Sequence, residues 1–394
     1  MTKESQQVFQ DVVNRAKAYY CLDCGKCTSV CPISLLNEDY SPRLTVQKAL
    51  LGSPEALLKD ELLWSCLTCG RCDEICESDV HYSEFIKDLR IEAHRIGQEG
   101  VYAHDGIMQS IMRMMTSPTL RQNRLRWISN DLKISDNGEV LYFVGCLPYF
   151  DAFFTDLGLN TLNIAKSAIR VLNQLGIEPV LMPNERCCGH DLLWTGDVEN
   201  FKRLAQLNVE EIKRTGAKKI VISCPEGYQT LKQEYPKYIG ALDFEIIHLS
   251  ELIVEKLPEL KFQKPKTRLP APQKVTYQDP CRLGRLSGIY EQPRQIINAI
   301  GIELIEMLKN RKNATCCGTN GWMNCGLCSK QIQLARLKEA KDTGADSLIT
   351  FCPKCQIHFK CAMKDGNTPN EAKIEIQDLT NLVAKHLSWI TNNK

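Results

Sequence analysis

Nowhere in the chain do the roughly 18 consecutive apolar residues of a membrane-spanning helix occur. The amino terminus, MTKESQQVFQDVVNRAK, has no apolar core followed by small residues, so it does not read as a secretory leader. A net charge of +2, from 49 basic against 47 acidic side chains, leaves no excess of one sign for nucleic acid or an anionic membrane face. No G-x-G-x-x-G follows a strand-like run, so flavin or nicotinamide chemistry has to come from a partner. These absences describe a soluble, cytoplasmic protein that reaches a membrane only through another subunit.

Cysteine is what the chain has in quantity. Its 20 cysteines are too sparse for a small secreted disulfide scaffold and fall in tight clusters rather than dispersed pairs. With 394 residues, 43% of them hydrophobic, there is apolar material for two or three cores, so no disulfide staple is needed. Clustered thiols in a reducing compartment point to metal.

Residues 1–95 hold eight cysteines in two runs, separated by a stretch of helical Leu and Ala spacing that Pro42 and Pro54 divide into short helices. Residues 96–137 lack cysteine and read as a helical connector, with IMQSIMRMMTSP an amphipathic helix ending near Pro118. From 138 to 254, β-type runs that stop at cysteine alternate with helical segments such as NIAKSAIRVLNQLG. Residues 255–274, with four prolines and six basic residues, read as an exposed, extended linker. The βα texture then restarts over 275–394. KRTGAKKIVISCPEG returns as KDTGADSLITFCPKC, and the order strand, Cys, helix, Cys-Cys-Gly, helix, strand, Cys-Pro occurs twice. The expected fold is multidomain: an all-α dicluster ferredoxin-like domain, then two α/β half-domains related by internal repeat and facing each other.

CLDCGKCTSVCP and CLTCGRCDEIC share the C-x2-C-x2-C-x3-C spacing of two-cluster ferredoxins. Three close thiolates hold three corners of a cubane, and the fourth cysteine starts away from the loop and reaches the other cluster. The spacing therefore assigns one 4Fe-4S cluster to Cys21, Cys24, Cys27 and Cys76, and another to Cys66, Cys69, Cys72 and Cys31. Gly25 and Gly70 let backbone amides approach the sulfides. Zinc knuckles would pair their ligands in C-x2-C units, which this triplet-plus-one does not do. Glu77 stands where the pattern usually has proline.

The second repeat brings five cysteines from three loops, one more than a cubane or a zinc ion takes. From CLDCGKCTSVCP through CCGHDLLWTGD, YQDPCRLGR, CCGTNG and FCPKC, residues 15 to 365 resemble the cysteine-rich CCG domain proteins, most closely the D-type heterodisulfide reductases, in which the C and B types are fused. The resemblance implies a non-cubane 4Fe-4S cluster at Cys281, Cys316, Cys317, Cys352 and Cys355. The first repeat offers Cys146, Cys187, Cys188 and Cys224, because Gly227 stands where Cys355 would match. Four thiolates suit a cubane, a zinc ion or a non-cubane cluster with a substitute ligand, and the sequence leaves these open. Fully equipped relatives hold a disulfide between two non-cubane clusters, a symmetry that Gly227 breaks here. Trp322, in CCGTNGWMNCGLC, would narrow a substrate cleft.

Other candidates flank these motifs. His190 could protonate a leaving thiolate, or be a loop histidine bonded to backbone. Arg186, Arg282 and Arg285 could bind an anionic substrate or stabilise anionic clusters, or be solvated. Cys325 and Cys328, three apart and expected on one helical face, read as an auxiliary redox pair or as structural thiols, and Cys361 as a structural thiol. Two functions fit: an oxidoreductase subunit that passes electrons from two cubanes to a disulfide-type acceptor, or a pure electron relay in a larger complex. Either implies redox partners that carry flavin or haem, or a membrane anchor. A zinc-stabilised scaffold would leave the ferredoxin spacing unexplained.

Overall fold

The computed structural model describes residues 3–263, 273–366 and 368–388. Before Val140 its elements are helices: Lys3–Arg15, Lys26–Val30, Pro42–Leu51, Pro54–Leu58, Arg71–Ile75 and Tyr82–Arg95, joined by 3-10 turns. Pro42 and Pro54 are the first residues of their helices, where a missing N–H costs nothing. Ser41 and Ser53 cap them, accepting from the amides of Leu44 and Ala56. Phe9, Val12, Leu57, Leu63, Trp64, Phe85 and Leu89 form the core of this part. The fully buried guanidinium of Arg90 donates to the carbonyls of Leu63, Trp64 and Cys66 and to that of Trp194, which ties the helical part to the first α/β half.

The connector is less helical than its sequence suggests. A single helix, Ile107–Met114, comes after a 3-10 turn, and beyond it the chain runs in turns to Val140. Thr116 Oγ1 turns back to the Arg113 carbonyl at 2.7 Å, a side-chain bond that competes with helix continuation just ahead of Pro118. Leu120, Leu125, Trp127, Ile128 and Leu132 then pack as an apolar strap against the first α/β core.

Seven short parallel strands form two sheets: β1 (Val140–Phe143), β2 (Lys219–Ile222) and β3 (Glu245–His248), then β4 (Lys274–Gln278), β5 (Glu303–Leu304), β6 (Ser347–Thr350) and β7 (Glu375–Asp378). The orders are β1-β2-β3 and β5-β4-β6-β7. Val180 bridges Leu141 on the open side of β1, where β5 lies beside β4 in the second sheet, so both halves share one topology. The strands are near-continuous apolar runs, as sheets covered on both faces require.

The halves interlock crosswise. Helix Leu162–Gln174, after β1, packs on Leu379–His386, after β7, while Leu249–Glu255, after β3, packs on Glu291–Ala299, after β4. Each contact pairs the same two types of element with the halves exchanged, which is pseudo-twofold packing around one shared core.

The expected linker is partly structured. Leu257–Glu259 is a 3-10 turn, and Phe262 pairs antiparallel with Leu387, with the Gln263 amide donating to the His386 carbonyl at 2.9 Å. Lys274 already belongs to β4; residues 264–272 of the linker lie outside the described residues. Over the whole chain the fold is multidomain and mixed α/β.

Candidate metal centres

Each N-terminal cysteine run adopts the same backbone. Asp23 and Thr68 take left-handed φ of 54° and 45°, and Gly25 and Gly70 come next at 78° and 69°. This curls three cysteines around a loop, and the five-residue helices Lys26–Val30 and Arg71–Ile75 then carry the fourth away. Those helices pack on each other, so the fourth cysteines cross over. Cys31 joins Cys66, Cys69 and Cys72 around one cavity. Cys76 joins Cys21, Cys24 and Cys27 around the next, with Cys72 in its wall. Backbone amides already point at sulfur, Thr68 N–H to Cys66 Sγ at 3.2 Å and Val80 N–H to Cys76 Sγ at 3.3 Å. Burial pushes the Cys66 thiol up to about 11 and raises those of Cys31 and Cys72. Thiolates so disfavoured need a cation to neutralise them, and four sulfurs per cavity match the demand of an iron-sulfur cubane.

The five cysteines of the second half converge. Cys281 lies in the turn after β4, Cys316 and Cys317 lie in one loop, and Cys352 and Cys355 open helix Pro353–Lys364. Hydrogen-bonded thiols link Cys281 to Cys316, Cys316 to Cys317 and Cys317 to Cys355. Thiols donating to Cys317 from both sides pull it down, while its partners are pushed up. Cys316 also lies within the electrostatic field of Cys69 in the helical part. Arg285 spans that junction, its Nε donating to the Cys69 carbonyl and an Nη to the Ala314 carbonyl, both at 2.7 Å.

In the first half Cys146 Sγ lies 3.3 Å from Cys187 Sγ, Cys188 bonds to Cys187, and Cys224 lies within the field of Cys188. Glu185 holds this loop from behind, accepting from the amides of Val144 (3.0 Å) and Gly145 (2.7 Å) and pairing with Arg124 at 3.2 Å. Burial pushes its carboxyl up to about 7. A Cβ at Gly227 would meet Ile222 Cγ2 at 3.3 Å, so the place of a fifth cysteine is nearly open but holds none.

Two family patterns match the chain, the 4Fe-4S dicluster domain over residues 17–80 and the cysteine-rich domain over 140–232 and again over 275–360. The D-type subunit of the dihydromethanophenazine:CoB--CoM heterodisulfide reductase of Methanosarcina acetivorans is 34% identical over 300 residues, 73% of this chain and 69% of that protein. The chain belongs to the family of D-type heterodisulfide reductase subunits. Like its relatives it is an iron-sulfur oxidoreductase subunit with 4Fe-4S clusters. The B-type subunit of the fumarate reductase (CoM/CoB) of Methanothermobacter marburgensis is 26% identical, with 91% of this chain and 71% of that protein covered. A hypothetical protein from Helicobacter pylori shares the fold, with a TM-score of 0.51 at 12% identity over 98% of this chain and 73% of that one.

Between its two α/β nests this family member carries a buried ionic cluster that its motifs do not announce. Lys354 Nζ lies 2.6 Å from Asp191 Oδ1 and 2.9 Å from Glu226 Oε2, and is 3% exposed. The two carboxylates keep the Lys354 ammonium charged, and the ammonium in turn holds Asp191 well below the carboxylate range. His190 Nδ1 lies 3.0 Å from the same Asp191 oxygen, while its Nε2 accepts from Arg282 Nε at 2.9 Å. That network assigns the ring proton to Nδ1. His190, the candidate proton donor, thus has both nitrogens engaged, and its bonds go to side chains rather than to backbone.

The three arginines offered as anion binders are braces. Arg282 is buried, stacked 4.1 Å from the Trp194 ring centroid and bonded to Thr68 Oγ1 and Asn320 Oδ1. Arg285 spans the Cys69 junction, and Arg186 donates to the Leu120 carbonyl. Cys325 precedes the helix that begins at Leu327, so it does not share a helical face with Cys328. Among the described residues no helix is long and apolar enough to cross a membrane.

Proposed function

We propose that this protein carries electrons from two cubanes, held by Cys21, Cys24, Cys27, Cys76 and by Cys31, Cys66, Cys69, Cys72, to a non-cubane 4Fe-4S cluster held by Cys281, Cys316, Cys317, Cys352 and Cys355. The division into 1–95, 96–137, 138–254, 255–274 and 275–394 goes with it. Cys146, Cys187, Cys188 and Cys224 hold a further centre, iron-sulfur or zinc. When bound, the clusters supply one-electron transfer, and the acceptor is a disulfide of the type named for the methanogen relative. The observation that carries the reading is the junction of Cys69 with Cys316, dry, braced by Arg285 and shared by two nests from different domains. Cys24 is the exposed thiol of its nest, so electrons enter from a redox partner there. Iron and sulfide quantification under anaerobic conditions, with low-temperature EPR after thiol addition, tests the reading. A paramagnetic signal that needs added thiol supports it, and a colourless, iron-free protein overturns it.

The pure relay is favoured by one observation, the Lys354 cluster. It fills the ground between the two α/β nests, where an acceptor held from both sides would lie. An EPR signal indifferent to thiol supports the relay.

A further inference from the structure

A cavity of about 680 Å³ lies where the connector, the first half and the second half meet, within the size range of small-molecule sites. None of the nest cysteines lines it, yet it backs onto the five-thiol nest. Thr319 lies two residues beyond Cys317, and His358 lies one helical turn beyond Cys355. Two thiols that no nest uses do line it. Cys325 stands before helix Leu327–Asp342, and Cys361 lies in the last turn of helix Pro353–Lys364. They lie within each other's electrostatic reach, and burial with Cys361 raises the Cys325 thiol while Lys330 opposes them. Lys330 Nζ also donates to the Cys361 carbonyl at 3.3 Å, which pins one ammonium beside both thiols.

The same walls carry polar groups with nothing to bond. Thr319 Oγ1 and Trp322 Nε1 have no hydrogen-bond partner, although their residues are only 8% and 2% exposed. Leaving a buried donor unpaired costs about 1–3 kcal/mol, so an occupant that accepts from it is favoured. Trp322 is fixed by stacking on Phe154, with centroids 5.3 Å apart and planes at 15°, so its N–H stays in place. Of the cavity's ammonium groups, Lys364 is neutralised by Asp156 at 2.6 Å, while Lys330 meets Asp365 only at 3.7 Å.

We propose that this cavity binds a small organic disulfide bearing a carboxylate or similar acceptor oxygen, and that Cys325 and Cys361 exchange with it as a thiol pair. The proposal deepens the disulfide-acceptor reading and rests on it for the class of ligand. One cysteine thiolate attacks a ligand sulfur, forming a mixed disulfide and releasing one ligand thiolate. The second cysteine thiolate attacks the protein-side sulfur of that bond, releasing the other ligand thiolate and closing a Cys325–Cys361 disulfide. The two cysteine protons go to the two released thiolates, so the ligand is reduced by two electrons and the thiol pair is oxidised by two.

The test uses the anaerobic, cluster-loaded full chain and dithiodipropionate, with cystamine as the cationic counterpart. Peptide mass spectrometry should find Cys325 joined to Cys361, with two equivalents of mercaptopropionate released per chain and Cys328 unmodified. Cys325→Ser and Cys361→Ser should each stop at a mixed disulfide on the remaining thiol. Thr319→Val, at unchanged iron content, should slow dithiodipropionate about tenfold and leave cystamine unaffected. Cys325 and Cys361 reacting no faster than Cys328, or cystamine matching dithiodipropionate in every variant, overturns the proposal. Because exchange in a single turnover draws no electron from the clusters, its failure beside a thiol-dependent EPR signal leaves the acceptor reading standing. Success without that signal removes the reading and keeps the site.

Discussion

Lys354 illustrates how much can rest on one side chain that no motif highlights. Its Nζ satisfies Asp191 and Glu226 together in a place without water contact. Lys354→Met should leave two carboxylates buried without a counter-charge, a loss of about 3–5 kcal/mol by the usual cost of breaking a buried pair. Anaerobic urea denaturation of wild type and variant measures it; a change below about 1 kcal/mol would mean that the cluster is solvated in solution. The cysteines were legible because ligand spacing is a local property. Lys354, Asp191 and Glu226 were not, because a charged residue after Cys-Pro reads as a solvated turn until the opposite half supplies its partner.

At the scale of elements, the strands and long helices track the apolar pattern closely. Helix Val198–Thr215 ends at Gly216, with φ 74°, and Leu162–Gln174 covers the predicted NIAKSAIRVLNQLG almost residue for residue. The pattern fails in the connector, where apolar side chains serve an irregular strap, so helical spacing stops being the criterion for burial. Helix Leu379–His386, half of one crosswise contact, depends on its cap. Asp378 accepts from the Thr380 amide at 2.8 Å, and burial pushes its carboxyl up to about 7. A carboxyl raised in the folded state favours the protonated form, so its contribution is complete below the unfolded value near 4 and fades as pH rises through about 7. Asp378→Asn retains an acceptor for the cap and cannot ionise. The fall in stability between about pH 5 and about 7 should therefore flatten in the variant, read by denaturation midpoints across that range; parallel curves would show that Asp378 does not titrate there.

Across the whole molecule, the exposed edge beside Cys24 has an apolar surface of its own. Tyr19, Tyr20 and Leu22 are 57%, 66% and 73% exposed. The charges around them cancel internally, Lys17 with Asp79, Lys26 with Glu77, and Arg43 with Asp23. A redox subunit seated there is held by apolar contact more than by long-range steering. Leu22→Lys should slow electron entry from the physiological partner at least about tenfold with the cluster EPR unchanged, and the wild-type rate should vary little with salt. A steep salt dependence would point to a charged carrier docking elsewhere.

Glu226 and Lys354 occupy the same position of the duplicated half-domain with opposite charge, and they meet across the pseudo-twofold. Two copies of the first half would set carboxylate against carboxylate, and two copies of the second would set ammonium against ammonium. Neither half can replace the other in a symmetric pair, so once these charges diverged, the duplicated chain was bound to remain fused.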